Sequence, residues 1–104
     1  MMQITFNAPD FSPDARLINF IEHKLCGLDR YFDRPVHVEV CLKLQDTGKK
    51  IDEKITEVKI HVPGGWIMDK KTGNTFEATV TASYESIRRQ LVRIREGGRA
   101  SVQR

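Results

Sequence analysis

The chain has 104 residues and a formal net charge of +3, and 39% of its residues are hydrophobic. This length is enough for one hydrophobic core and too short for two domains of ordinary size. No apolar run approaches the roughly 18 residues that cross a bilayer, and the N-terminus lacks the basic and apolar regions of a signal peptide. The composition therefore predicts one globular domain in the cytoplasm, with no membrane partner.

The positive charge is concentrated at the C-terminal end of the chain. Residues 88–104 contain six arginines and one glutamate, a charge of +5, so the remaining 87 residues carry −2. A polyanion would meet a strongly positive end and a nearly neutral body. The alternative at this stage is a solubilising helix face followed by a loose basic tail.

Hydrophobic periodicity predicts a strand and then a helix in the first third of the chain. Residues 2–7 alternate between apolar and polar, as in a half-buried strand. Ser12, Pro13 and Asp14 then provide an N-cap candidate, a proline for the first turn and an early acid. Apolar residues recur after this point at spacings of three and four, which predicts an amphipathic helix that ends near Pro35. Its core positions are Leu17, Ile21, Leu25, Leu28 and Phe32.

Three further strands are predicted in the middle of the chain. Apolar and polar residues alternate most regularly over 36–44. The same alternation recurs over 57–62, after a polar loop at 45–54. Pro63, Gly64 and Gly65 then turn the chain into a short strand that starts at Trp66.

The last element is predicted to be a long helix. The threonines between Phe76 and Tyr84 favour a strand locally. The apolar residues nevertheless keep helical spacing for five turns, and 74–77 resembles a capping box. Sustained periodicity outweighs local propensities of about a few tenths of a kcal/mol per residue. We therefore predict a helix over about 75–96, ended by the glycines at 97–98, with core positions Phe76, Val80, Ile87, Leu91 and Ile94.

The predicted element order is β-α-β-β-β-α. Because each strand has one apolar face, both helices are expected to cover the same side of a four-stranded sheet, in an α+β two-layer domain. The domain is expected to occupy residues 1–97, with 98–104 as a flexible basic tail.

Helical projection places most basic residues away from the core. On the first helix the far side carries Arg16, His23, Gly27, Arg30 and Arg34, with Lys24 on one flank. On the second, Arg89, Arg93 and Arg95 lie opposite the core, with Arg88 at the border. The arginine side chain suits phosphate oxygens. Gly27 either lets a bulky partner approach or is a local imperfection of the helix.

The other face of the sheet offers few chemical signals. His37, Cys41 and His61 lack the close spacing of metal ligands, and Cys26 and Cys41 are expected to be free thiols. Trp66 and Met68 are compatible with a stacking platform, a partner interface or edge packing. No Gly-rich phosphate loop, Ser-His-Asp grouping or pair of carboxylates in an apolar setting is present. We therefore expect no metal, cofactor, small-molecule substrate or enzymatic activity.

Five ordered blocks of the sequence carry a family resemblance: 24–34 with its Tyr-Phe-Asp-Arg close, 38–43, 62–65, 76–80 and 87–91. With these residues and spacings the sequence resembles the short ribosome hibernation promoting factors, also called the sigma-54 modulation or ribosome-associated inhibitor family.

The resemblance implies a fold similar to double-stranded RNA-binding domains. It also implies a function, which is to silence idle ribosomes by binding small-subunit RNA in the channel where messenger and transfer RNA would lie. Matched by position, the RNA-binding residues are Lys24, Arg30, Arg34, Arg88, Arg89, Arg93 and Arg95.

The sequence also departs from the family pattern. Glu77 stands where the family usually has a tyrosine, and Thr81 where it has an aspartate. The long-form dimerisation domain and any acidic tail are not seen, so pairing of ribosomes and simple blocking both stay open. Two alternative functions also stay open: a protein-interaction module that regulates a transcription factor through the open sheet face around Trp66, and a general binder of double-stranded RNA.

Overall fold

The computed structural model describes residues 2–46, 48 and 53–97, together with the backbone of 102–103. The elements in chain order are β1 (Met2–Asn7), α1 (Ala15–Leu25), a 3-10 segment (Cys26–Tyr31), β2 (Val36–Gln45), β3 (Glu53–Val62), β4 (Gly65–Gly73), α2 (Phe76–Arg95) and β5 (Val102–Gln103).

The strands lie in the sheet in their chain order, β1-β2-β3-β4-β5. β1 and β2 are parallel because α1 crosses over between them, and the remaining neighbours pair antiparallel. Both helices cover one face of this sheet and contact each other, and α2 packs on β3 and β4. The predicted α+β two-layer fold, with its order β-α-β-β-β-α, is confirmed.

One face of the sheet and the inner sides of the helices form the core. The alternating strands contribute buried valine, leucine and isoleucine side chains, and α1, the 3-10 segment and α2 contribute Ile21, Leu25, Leu28, Val80, Ile87 and Leu91. Ile94, also predicted to be a core residue, is 42% exposed in the last turn of α2. The prediction that Ile94 belongs to the core is therefore wrong.

The first helix differs from its prediction at both ends. Asp14, rather than Ser12, is the N-cap, since its Oδ1 accepts a hydrogen bond from the Leu17 amide at 2.8 Å. The α-helix ends at Leu25 instead of continuing to Pro35, and the chain tightens into the 3-10 segment. A glycine at position 27 weakens the α-helix there. With three residues per turn, Leu25, Leu28 and Tyr31 share one side of the segment.

The second helix agrees with its prediction. The Thr75 hydroxyl caps it by accepting from the Ala78 amide at 3.1 Å, and Gly97 follows its end with a φ of +83°. The threonines that favoured a strand are accommodated by bonds to the preceding turn, such as Thr81 Oγ1 to the Glu77 carbonyl at 2.8 Å.

The turn between β3 and β4 has two residues, Pro63 and Gly64. Gly64 has a φ of +86°, and proline followed by glycine in this region is the arrangement of a type II turn. The strand after the turn, β4, is nine residues long and thus longer than the short strand predicted.

Most of the predicted tail over 98–104 lies outside the described residues, including Arg99 and Arg104. Val102 and Gln103 pair with Ile67 and Trp66 as the two-residue β5. Among the described residues, neither helix combines the length and the apolar composition that a membrane span requires.

Candidate RNA-binding surface

The outer side of α2 displays two exposed arginines, Arg89 and Arg93. Each lies two residues, or about 200° of rotation, after a buried core residue, Ile87 and Leu91 respectively. Arg34, in the linker between the 3-10 segment and β2, is also exposed. Within the part of the chain that the structure describes, these three guanidinium groups have no hydrogen-bond or ion-pair partner. They are therefore available to an external anion.

Four further residues meet beside the end of α2 and form what we call the Tyr31 cluster, which consists of Arg30, Tyr31, Arg88 and Arg95. Arg30 Nη2 donates to Tyr31 Oη at 3.0 Å. The guanidinium carbons of Arg30 and Arg95 each lie 5.0 Å from the centre of the Tyr31 ring, within the range of a cation–π contact. The half-buried tyrosine thus holds two cations from remote parts of the chain.

Arg88 joins the Tyr31 cluster while also pairing with Glu85. Its Nε and Nη2 lie 3.3 and 3.2 Å from Glu85 Oε2. The hydrogen bond to Glu85, and after it the one to Tyr31, raises the pKa of Arg88. The hydrogen bond from Arg30 is the main cause that lowers the pKa of the Tyr31 phenol. Because a guanidinium has five N–H donors, all three arginines keep donors for an external phosphate.

Lys24 is held by a second tyrosine, Tyr84 of α2. Its Nζ lies 5.1 Å from the centre of that ring. The same ring lies against Gly27, where an added Cβ would be 3.3 Å from Tyr84 Oη and 3.4 Å from its Cε1. Neither sequence hypothesis for Gly27 describes this role. Its missing side chain makes room for a tyrosine of the same chain.

Of the seven predicted RNA-binding residues, Lys24, Arg30 and Arg95 lie against tyrosine rings, and Arg88 pairs with Glu85 beside Tyr31. The other three have no hydrogen-bond or ion-pair partner among the described residues. Sequence reasoning missed the part played by the rings themselves. Tyr31 follows Arg30 directly, which is a signal for an arginine–tyrosine pair, whereas Tyr84 is 60 residues away from Lys24 and gives no local signal.

The opposite face of the sheet carries mixed charge. The register places Glu39 beside Lys59, and Lys43 pairs with Glu57 at 3.4 Å. His61 contacts the Glu39 carboxylate, and this hydrogen bond is the main cause that lowers the pKa of Glu39. Positive charge is therefore not concentrated here as it is on the helices.

Rings and thiols on this face, as predicted, point away from the helices. The rings of His37 and His61 stack with their centres 5.4 Å apart, and Lys59 Nζ lies 4.5 Å from the centre of Trp66.

Among the described residues, no three histidine, cysteine or acidic side chains gather as metal ligands. Cys41 is half-buried on this face, Cys26 is exposed on the other, and both are free thiols. Burial raises the pKa of Cys41.

The fold and the site define a small α+β domain with a basic helix layer over one face of a mixed sheet. The chain belongs to the family described as sigma 54 modulation protein / S30EA ribosomal protein, whose sequence model matches residues 3–98. The resemblance found in the five sequence blocks is therefore confirmed.

Two curated relatives have names that refer to ribosome hibernation. The chain is 26% identical over 95 residues to a ribosome hibernation promoting factor of Azotobacter vinelandii, a match that covers 91% of this chain and 84% of the relative. It is 31% identical over 72 residues to a ribosome hibernation promotion factor of Deinococcus radiodurans, covering 69% of this chain. The match spans only 38% of that second, longer protein.

Two solved structures share the fold. The Thermus thermophilus Protein Y N-terminal domain superposes with a TM-score of 0.78 at 21% identity, covering 89% of this chain and 99% of that one. A ribosomal subunit interface protein from Coxiella burnetii gives a TM-score of 0.70 at 17% identity, with 92% and 99% covered. At these identities the structures support the fold alone.

Proposed function

We propose that this protein is a ribosome hibernation factor that silences translation by occupying small-subunit RNA in the messenger and transfer RNA channel. Family membership and the names of the two curated relatives support the association with ribosomes. The site within the ribosome is what the family resemblance implies, and the contact residues are those matched by position to the family, with the charge and exposure of their side chains as support. Inhibition comes from steric occupancy, which needs no chemical step.

The observation that carries this proposal is a set of exposed arginines with no partner among the described residues, Arg89 and Arg93 on α2 and Arg34 in the linker before β2. An arginine with no internal partner can give two parallel N–H donors to one phosphate. Evenly spaced phosphates along an RNA backbone provide such acceptors without any requirement for a base sequence. The surface therefore favours a folded RNA recognised through its backbone.

The tyrosine-anchored cations contribute in a different way. Immobilising a long side chain on binding costs about 0.5–1.5 kcal/mol. Arg30 and Arg95 are already held on Tyr31, and Lys24 on Tyr84, before any partner arrives. Their positions are set in advance, so part of that cost falls on folding and the surface is pre-organised for phosphate.

Sedimentation with ribosomal subunits through sucrose gradients tests the proposal. The protein should travel with the small subunit at low salt, and its affinity should fall steeply between about 50 and about 200 mM salt. Arg89→Glu with Arg93→Glu should lower affinity at least about a hundredfold, because each charge-assisted hydrogen bond is worth about 1.5–3 kcal/mol.

The matched control is Lys59→Glu with Lys70→Glu, which changes the net charge equally on the opposite face of the sheet. It should sediment like the wild type. Failure of the wild type to travel with the small subunit at low salt, or equal losses in the two double variants, would contradict the proposal. Free RNA duplex added as a competitor separates ribosome recognition from general binding of double-stranded RNA.

A second candidate function rests on the open sheet face. Met68 is 46% exposed there, on the same face as Trp66 and two residues further along β4. A protein partner could bury these side chains, as expected of a regulator of a transcription factor. Under this alternative, Trp66→Ala changes expression from a sigma-54-dependent reporter while the double arginine variant does not.

A further inference from the structure

A cavity of about 260 Å³ lies at the end of the sheet, next to the Tyr31 cluster. Its walls come from three places: the end of the 3-10 segment, the linker into β2, and the turn between β3 and β4. The lining residues are Tyr31, Phe32, Asp33, Arg34, Val36 and Pro63.

The size of this cavity limits what it can hold. Sites for drug-sized ligands are about 300–1,000 Å³. A volume just below that range is large enough for one planar ring system.

The lining combines an apolar wall with two charged groups at its rim. Phe32, Val36 and Pro63 give the apolar wall, against which an unstacked base can pack as bases do on aromatic side chains. Asp33 and Arg34 are exposed, and among the described residues neither has a hydrogen-bond or ion-pair partner. A carboxylate accepts hydrogen bonds from amino groups of a base, and a guanidinium donates to a phosphate.

A second cavity among the described residues has a different set of charged groups. It measures about 350 Å³ and lies near the start of α1, where its lining includes Asp14 and Glu77 but only one cation, Arg16. Two carboxylates repel a phosphate backbone, whereas the cavity beside Tyr31 is adjacent to four arginines, Arg30, Arg34, Arg88 and Arg95.

We propose that the cavity beside Tyr31 takes up a single unstacked RNA base that carries an amino group. The phosphates next to that base lie on Arg34 and the Tyr31 cluster, while Asp33 accepts a hydrogen bond from the base. This inference rests on the proposed function and deepens it. One nucleotide is bound through its base at the edge of a surface that otherwise binds only backbone.

The experiment compares short single-stranded RNA oligonucleotides of equal length, titrated at constant salt and followed by fluorescence anisotropy. One carries bases throughout and the other is abasic at its central positions, so the two have the same phosphate charge. The base-bearing oligonucleotide should bind at least about fivefold more tightly. Adenine- or cytosine-containing oligonucleotides should bind better than uracil-containing ones.

Protein variants then show which residues cause the two preferences, for base-bearing RNA and for bases that carry an amino group. Asp33→Ala should remove the preference for amino-bearing bases, and Phe32→Ala should reduce the difference between base-bearing and abasic RNA. The melting temperature of each variant establishes that it is folded. Glu77→Ala, which removes a carboxylate at the other cavity, should leave both preferences unchanged. Arg89→Glu with Arg93→Glu should weaken both oligonucleotides alike and preserve their ratio.

Failure of this inference differs from failure of the proposed function. Equal affinity for base-bearing and abasic RNA, or no binding of either, in a protein that still sediments with the small subunit, overturns the base site alone. Loss of sedimentation by the wild-type protein overturns the proposed function. A base preference that survives in both Asp33→Ala and Phe32→Ala places the base elsewhere and also overturns the inference.

Discussion

Arg95, in the last turn of α2, donates a hydrogen bond from Nη2 to the backbone carbonyl of Arg30 at 3.1 Å. The two residues are 65 positions apart in the chain. This bond, together with the shared contact on the Tyr31 ring, connects the end of the second helix to the 3-10 segment that follows the first. The two halves of the basic surface are therefore held in one relative position.

Arg95→Ala should both destabilise the domain and weaken RNA binding. Loss of the hydrogen bond to Arg30 is expected to cost about 0.5–1.5 kcal/mol of the free energy of unfolding, measured by urea denaturation. Arg93→Ala, at an exposed position with no partner in the described chain, is the control: it should weaken binding with little change in stability. Equal stability of the two variants would show that the bond contributes nothing.

Each of the three arginines that have no partner in the described part of the chain should contribute about one phosphate contact. In plots of log binding constant against log salt concentration the slope is negative. Arg34→Ala, Arg89→Ala and Arg93→Ala should each reduce its magnitude by about one. Lys70→Ala, on the opposite face, should leave the slope unchanged. A slope that does not respond to any of the three arginines would place the RNA on another surface.

Gly27 and Tyr84 should be energetically coupled. Gly27→Val puts a branched side chain where Tyr84 lies, and overpacking of this kind costs about 1–3 kcal/mol. In a Tyr84→Ala background the added side chain meets open space, so the same substitution should cost clearly less. A double-mutant cycle measures the difference. Strictly additive costs would show that the ring is not the reason for the glycine.

Thr56 and Thr79 form a buried hydroxyl pair at 2.8 Å, and Thr79 also donates to the Phe76 carbonyl at 3.0 Å. Thr56 must therefore donate to Thr79. Thr79→Val leaves the Thr56 hydroxyl without its acceptor, at a cost of about 1–3 kcal/mol, whereas Thr56→Val leaves Thr79 bonded and should cost less. The double valine variant should be more stable than Thr79→Val alone, as measured by thermal or urea unfolding. The reverse order of the two single variants would refute this assignment of donor and acceptor.

The contact between Glu39 and His61 should make stability depend on pH in the acidic range. Because the pKa of Glu39 is lowered in the folded state, mainly by the hydrogen bond with His61, folding favours the ionised carboxylate. The stabilisation is present above the ordinary glutamate pKa and is lost as pH falls through the lowered value. The difference in melting temperature between wild type and Glu39→Gln should therefore shrink on acidification. In a His61→Gln background this pH-dependent difference should be much smaller, and an unchanged one would contradict the assignment.

The order of β1 to β4 with the two helices and the outward position of Arg89 and Arg93 were predictable from sequence. So were the buried face of β2 and, apart from Ile94, that of α2. Each depends on spacing within one element, where a period of two or 3.6 residues determines which side chains share a face. The Pro63–Gly64 turn was predictable for the same local reason. Family membership was predictable as well, because it is carried by ordered sequence blocks.

The tertiary structure alone decided how the cations are held. A helical projection assumes a continuous α-helix, but the chain tightens into a 3-10 segment after Leu25, which changes the direction of every later side chain. The tightening brings Gly27 against Tyr84 and Tyr31 against Arg95, partners from a helix that begins 45 residues after the segment ends. Sequence periodicity records which residues an element buries. It contains no information about which remote side chain occupies the space beside a glycine or an arginine, since that depends on how the two helices pack over the sheet.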